Sequence, residues 1–361
     1  MQKGRLKKSH ILRITSWGRM LFLFAVIILL AALTTGRNVI FLLFSLLVSF
    51  VFVSSLLATI SLNRLHVERL VPQHIFSGKP FLVETRATNE KEFFPSYSLV
   101  VRNILNRNEL QGRYILKLPA KSSVSVAHKY IIERRGRYDF QGIKVTTTYP
   151  MGLFLKGYVA KDSEPIIVYP RIARLNPNFL NAMVTEIENQ VNRPGLGTDL
   201  YGFRRYQHGD DSRFINWRLS AKTRDLIFTK YCQEQNLNVC IVFDTLMPRV
   251  DEESRQRFES AVTFVASLCS FFLESGYKVK LVTPGETIPF GEGNKQLYRI
   301  LRHLALIEPP QGGETPPQCR ADVYSRDHLE GAVGLLVTCN GDLGNRGNFT
   351  RVFNAARMEE V

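Results

Sequence analysis

Met20–Thr35 reads MLFLFAVIILLAALTT and Val39–Leu62 reads VIFLLFSLLVSFVFVSSLLATISL, with only Gly36, Arg37 and Asn38 between them. Neither run contains a charge. About 20 apolar residues are needed to cross the hydrocarbon core of a bilayer, so the second run is long enough and the first slightly short. Together they read as a two-helix transmembrane hairpin over residues 20–62, with Trp17, Arg19 and Arg37 as interfacial anchors.

Upstream, residues 1–19 form a basic N-terminus carrying Lys3, Arg5, Lys7, Lys8, Arg13 and Arg19 and no acid. Because the connecting turn has a single Arg, the excess of positive charge places this end in the cytoplasm, and two crossings bring the chain back there. The expected location is the inner cell membrane of a bacterium, with both termini and the soluble domains cytoplasmic. A cleaved signal peptide is the rival reading, since LLAALTTG offers small residues after an apolar core. It leaves the soluble part on the same side, because Val39–Leu62 would still cross once.

The formal charge of +15 over 361 residues loses six positive charges to residues 1–19, which leaves +9 spread along the remainder. No basic low-complexity block and no aromatic-plus-basic signature accompanies it, so nucleic acid is not an expected partner. Cys232, Cys240, Cys269, Cys319 and Cys339 are odd in number and form no CxxC pair. They fit a reducing compartment, and those in apolar runs read as small buried hydrophobes.

Downstream, residues 63–170 alternate with period 2, as in Phe81, Val83, Thr85 and Ala87 against Leu82, Glu84, Arg86 and Thr88. YSLVVRNI, RYILKLP, SVSVAHKYII, IKVTTTY and PIIVYP repeat the signal between Gly, Pro and Asn breaks. A β-sandwich-like domain is the economical reading. Residues 171–236 are less regular; the Gly-x-Gly in RPGLGTDLYG follows the polar TEIENQVN rather than a strand, so the dinucleotide-binding context is missing. Residues 237–361 take an α/β rhythm. NVCIVFD ends in Asp244, Phe258, Val262, Val265, Cys269 and Phe272 trace a helix that Gly276 can end, and KVKLVT and GLLVT are further buried strands. TIPF reads as a hairpin edge, and Leu297, Ile300, Leu301 and Leu304 mark another helix. The order predicts an open, mostly parallel sheet with helices on both faces.

RRYQHGDDSRFINWRLSAKTRDLIFTKY, from Arg204, resembles the signature of the family called domain of unknown function 58. The matching positions are Arg204, Tyr206, Gly209, Asp210, Asp211, Arg213, Ile215, Trp217, Ser220 and Ala221. RRGRYDFQGIKVTTTYPMGLF, Arg134–Phe154, is similar to the segment that precedes that signature, with Tyr149 where an acidic residue before the Pro is usual. The resemblance spans roughly residues 60–310. It implies a membrane-anchored multidomain fold ending in a domain like von Willebrand factor type A, and association with MoxR-type AAA+ ATPases in assembly or maturation of other proteins. In such domains Asp-x-Ser-x-Ser after the first strand often holds a divalent cation. Here Asp244, Thr245, Leu246, Met247 and Pro248 replace it, so the site is degenerate: no metal or other cofactor is expected, and Asp244 reads as a strand-end residue meeting nearby backbone donors.

Three readings of the signature follow from its residues. In the structural one, Gly209 makes a tight turn, Asp210 and Asp211 cap a helix over DSRFINWRLSAK, guanidinium groups pair with carboxylates, and Ile215 and Trp217 anchor the segment to a sheet. In the interaction one, exposed Arg and Trp side chains dock a partner protein. In the catalytic one, His208, Asp210 and Asp211 act as acid/base groups or metal ligands; Ser220 lacks the frame of a nucleophile elbow. The function expected is a non-enzymatic membrane-tethered adaptor. Its alternative is a metal-dependent enzyme using the His208/Asp210/Asp211 cluster.

Overall fold

The computed structural model describes residues 8–191, 194–232, 238–245, 251–309, 332–339 and 349–354. It divides into two units, Met1–Tyr169 and Pro170–Val361.

The first unit opens with a strand, β1 (Lys8–Ile14), where the sequence shows only a basic segment. It leads into α1 (Ser16–Thr35), and α2 (Asn38–Leu62) follows. The Thr15 hydroxyl caps α1 by accepting from the Gly18 amide at 3.1 Å, and this places Ser16–Arg19 in the helix, which reaches 20 residues. Gly36 ends it in the left-handed region at φ 64°, where a residue without Cβ pays no steric cost. Both helices are long and apolar enough to cross a membrane.

Ten strands follow in this unit: β2 (Leu65–Leu70), β3 (Ile75–Phe76), β4 (Phe81–Asn89), β5 (Ser96–Leu105), β6 (Asn108–Glu109), β7 (Arg113–Leu118), β8 (Ser122–Tyr130), β9 (Gly136–Thr147), β10 (Phe154–Ala160) and β11 (Glu164–Tyr169). One sheet has the order β2-β4-β8; the other runs β1-β10-β9-β11-β3, with β5 also on β9 and with β6 and β7 on β5. Period-2 alternation turns Leu65, Val67 and Ala87 of the small sheet toward Leu99, Val101, Ile143 and Val145 of the large one, and this shared core holds the two sheets face to face. β1 pairs antiparallel with β10 from Lys8↔Ala160 to Ile14↔Phe154. Since β1 precedes the helical pair and β10 follows it, the chain enters and leaves that pair on the same side.

The helices are tied into these sheets. Thr15 Oγ1 donates to the Gly152 carbonyl at 2.6 Å. Lys156 on β10 reaches the Ser55 carbonyl at 2.9 Å and the Thr59 hydroxyl at 2.8 Å, and Ser61 Oγ exchanges hydrogen bonds with the Tyr97 backbone.

The second unit contains α3 (Pro177–Val191), the hairpin β12 (Pro194–Arg205) and β13 (Ile227–Cys232) with α4 (Trp217–Thr223) between its strands, then β14 (Asn238–Asp244), α5 (Glu252–Glu274), β15 (Lys278–Thr283), β16 (Glu286–Gly291), α6 (Gly293–Leu306), β17 (Val333–Thr338) and β18 (Arg351–Asn354). β12 pairs antiparallel with β13. The last five strands form one sheet in the order β16-β15-β14-β17-β18. All its pairings are parallel except β15 with β16.

Helices on both faces were the expectation; among the described residues α3, α5 and α6 lie on one. Phe258 of α5 stacks on Phe243, His303 of α6 bonds Thr283, and Phe179 of α3 meets Phe353, all on the sheet face of Val239 and Ile241. Cys240, Val242, Val282 and Leu336 share the other face with Phe290, Phe349 and Val352. The reason is the β15–β16 hairpin. It returns the chain to the starting end of the sheet before α6 begins, so α6 does not enter from the carboxyl end of a parallel strand as the helix of a right-handed crossover does.

Candidate functional site

The signature is a local hydrogen-bonded frame between β12 and β13. Arg204, near the end of β12, lays its guanidinium over the Phe228 ring of β13 at 4.6 Å. It donates from both terminal nitrogens to the two Asp210 oxygens, each at 2.6 Å. This fork-to-fork geometry is the strong form of a carboxylate pair. The chain reaches it by a tight turn: the Asp210 amide donates to the Gln207 carbonyl at 3.0 Å, the Gln207 amide returns a bond to Asp210 Oδ2 at 2.9 Å, and Tyr206 Oη donates to the Asp210 carbonyl at 3.1 Å. Gly209 sits at φ 107°, a conformation a side chain rarely adopts.

Asp211 faces the other way. Its carboxylate accepts from the Arg213 amide at 3.0 Å and from the Arg213 guanidinium at 2.7 Å, and these bonds hold its carboxyl below the usual carboxylate range. Asp211 caps only the short 3-10 turn Ser212–Phe214. The cap of α4 is Asn216, whose Oδ1 accepts from the Leu219 amide at 3.0 Å. The expected capping by the Asp pair is therefore corrected: Asp210 is committed to Arg204, and a helix starting at Trp217 is too far along for Asp211. Asn216 was legible as an Asn just before a helix.

Ile215 is buried and bridges to Phe228, and Phe214 meets the same ring edge-on at 5.9 Å. Trp217 is not a sheet anchor, since 65% of it is exposed. Ser220 fastens α4 to β13: buried, its hydroxyl accepts from the Ile227 amide at 2.8 Å. No sequence signal marks that role. His208, Arg213, Arg218, Lys222 and Arg224 are exposed, so the frame leaves an aromatic ring and several basic side chains open to solvent. Arg205 is also exposed, paired with Asp225 at 3.0 Å.

Asp244 ends β14 and is buried, with the Thr338 hydroxyl 3.4 Å from its Oδ2 and the Cys339 amide donating to its carbonyl at 3.2 Å. Leu246, Met247 and Pro248 lie outside the described residues. Among those described, no three His, Cys, Asp or Glu side chains converge in a way that would hold a metal ion.

Residues 202–341 match the family described as Protein of unknown function DUF58. The Uncharacterized protein YeaD of Bacillus subtilis (strain 168) is 23% identical over 295 residues, which cover 76% of this chain and 70% of that protein. The family match takes in the signature and the following strands as far as β17. Among solved structures, the CARDB domain of PF1109 from Pyrococcus furiosus aligns at 17% identity and a TM-score of 0.22, over 30% of this chain and 94% of its own. A beta-glucosidase from Listeria innocua aligns at 12% identity and a TM-score of 0.20, over 29% of this chain and 16% of its own.

Proposed function

We propose that the chain is a non-enzymatic, membrane-tethered adaptor whose α4 surface docks a partner protein in the cytoplasm. One observation carries this reading: the acidic groups of the signature are consumed internally while its Trp217 and surrounding cations face solvent. Asp210 spends its oxygens on Arg204 and Gln207, and Asp211 spends its own on Arg213. An enzyme using His208, Asp210 and Asp211 would need those acceptors for substrate or metal. An exposed Trp flanked by Arg is the composition of an interface anchor.

Membrane tethering rests on α1 and α2, and their orientation on the five basic residues before α1 together with Arg19 in its first turn. The pairing of β1 with β10 supports an uncleaved hairpin, because cleavage after α1 would strip a strand from the sheet. The central parallel strands, with Asp244 at the end of β14, support a likeness to von Willebrand factor type A domains, and the family resemblance makes a MoxR-type AAA+ ATPase the partner to test.

The test is crosslinking of the tagged full-length chain in native membranes, with captured proteins identified by mass spectrometry. Trp217→Ala combined with Arg213→Ala and Arg218→Ala should lose an AAA+ ATPase that the wild type captures, at unchanged melting temperature. Equal capture by both forms would remove α4 as the docking surface.

A further inference from the structure

A hydrocarbon core of ~30 Å takes about 20 helical residues at 1.5 Å each. Counted from the turn at Gly36, that length uses all of α1 down to Ser16 and reaches the neighbourhood of Leu57 on α2. At these levels the helices are already bound to the sheets, through Thr15 to Gly152, Lys156 to Ser55 and Thr59, and Lys91 to Ile60. No linker separates the two. A bilayer thick enough to hold the hairpin must therefore touch the end of the first unit from which the helices emerge.

That end carries large exposed apolar side chains beside the exposed carboxylates of Glu90 and Glu92. Phe93 is 82% exposed and Phe94 61%, in the turn between β4 and β5 that also carries Lys91. Met151, 60% exposed, lies beside the Gly152 whose carbonyl takes the Thr15 hydroxyl, and Trp17, 73% exposed, is in the first turn of α1. Large exposed apolar groups gathered at one end mark a binding surface, and aromatic rings favour the headgroup layer.

We propose that Phe93, Phe94 and Met151, beside Trp17, form a lipid-binding surface that sits in the interfacial layer and holds the two sheets against the membrane in one orientation. This rests on the reading that α1 and α2 span the bilayer. The surface adds a second attachment to the hairpin.

The experiment is depth-dependent fluorescence quenching with the full chain in phosphatidylcholine and phosphatidylglycerol vesicles, some lipids carrying a nitroxide near the headgroup. Trp17→Phe and Trp217→Phe supply a dark background, into which Phe93→Trp, Phe94→Trp or Leu82→Trp is placed singly. Leu82 is 62% exposed and stands at the far end of β4, about 23 Å from Asn89 at 3.3 Å per residue. Emission from position 93 or 94 should be lost to the nitroxide lipid and kept in aqueous acrylamide, with the reverse at position 82. Loss to acrylamide at 93 and 94 in protein that resists alkaline extraction would overturn the surface and leave the hairpin standing. Shielding from both quenchers would overturn it in favour of a protein occupant. Release of the protein by alkaline extraction would overturn both readings.

Discussion

The ammonium of Lys91 donates to the carbonyl oxygen of Ile60 at 2.9 Å. It also reaches the Ser61 carbonyl at 3.0 Å and the Ser96 hydroxyl at 2.6 Å. The Asn63 amide caps α2 by donating to the Thr59 carbonyl at 3.1 Å and the Ile60 carbonyl at 3.3 Å; the last turn carries no basic residue, and a side chain from a strand turn supplies further donors to these end carbonyls. Lys91→Met should therefore cost about 1–3 kcal/mol, the penalty of taking the donor from the buried Ser61 carbonyl and Ser96 hydroxyl, while the Ile60 carbonyl keeps the Asn63 amide. A lowered melting temperature of the full chain in detergent is the readout.

The same lysine gives a pH signature. Burial pushes its pKa from 10.5 down to about 8. Between those values the unfolded chain holds a proton that the folded chain has released, so stability rises with pH across that window and the desolvation penalty is fully present below it. The stability of the wild type relative to Lys91→Met should grow from pH 8 toward 10.5, by at most about 1.4 kcal/mol per pH unit. A flat difference in parallel denaturant titrations would show that Lys91 does not titrate in this range.

Gly18 lies in the first turn of α1, where Ala would ordinarily raise helix stability by up to about 1 kcal/mol. A Cβ here would stand 2.3 Å from the Leu153 carbonyl oxygen and 2.9 Å from Ile14 Cγ2. That oxygen is fixed, since it accepts from the Thr15 amide at 3.1 Å and the Thr15 hydroxyl at 3.0 Å. Gly18→Ala should reverse the usual sign and destabilise by about 1–3 kcal/mol through overpacking, measured by thermal unfolding.

What the sequence showed followed from local periodicity. The two apolar runs, the alternation from Phe81 to Ala87 and the buried strands at Asn238, Lys278 and Gly334 each carry their own signal, and each became the expected element. β1 had none: Lys8 to Ile14 mixes charge and aliphatic residues, and it becomes a strand only because β10 offers an edge distant in sequence. Arg69 is a second case. Alternation in LHVERL turns it inward with Leu65 and Val67, yet a lone Arg there reads as solvent-facing; its guanidinium lies over Phe140 at 4.2 Å and donates to the Asp162 carbonyl at 2.9 Å. In the signature, the chance of Arg–Asp pairing was legible, but which carboxylate met which guanidinium was set by the turn at Gly209.

Two ion pairs in the signature, Arg204 with Asp210 and Arg213 with Asp211, make the last contrast. Arg204 and Asp210 are 30% and 17% exposed in their side chains, against 84% and 39% for Arg213 and Asp211. Solvent screening leaves an exposed pair little net attraction, whereas a bidentate pair with one face against the Phe228 ring keeps more of it. A double-mutant cycle of Arg204→Ala with Asp210→Ala should give a measurable favourable coupling. The cycle of Arg213→Ala with Asp211→Ala should give a clearly smaller coupling, close to none. Urea unfolding of the full chain in detergent reads both. The pattern matters for function because Arg213 can be removed to probe docking without loosening the frame, while Arg204 cannot. Equal couplings in the two cycles would mean that Arg204 and Asp210 are no more sheltered than the surface pair, and loss of partner capture in Arg213→Ala would then no longer separate docking from folding.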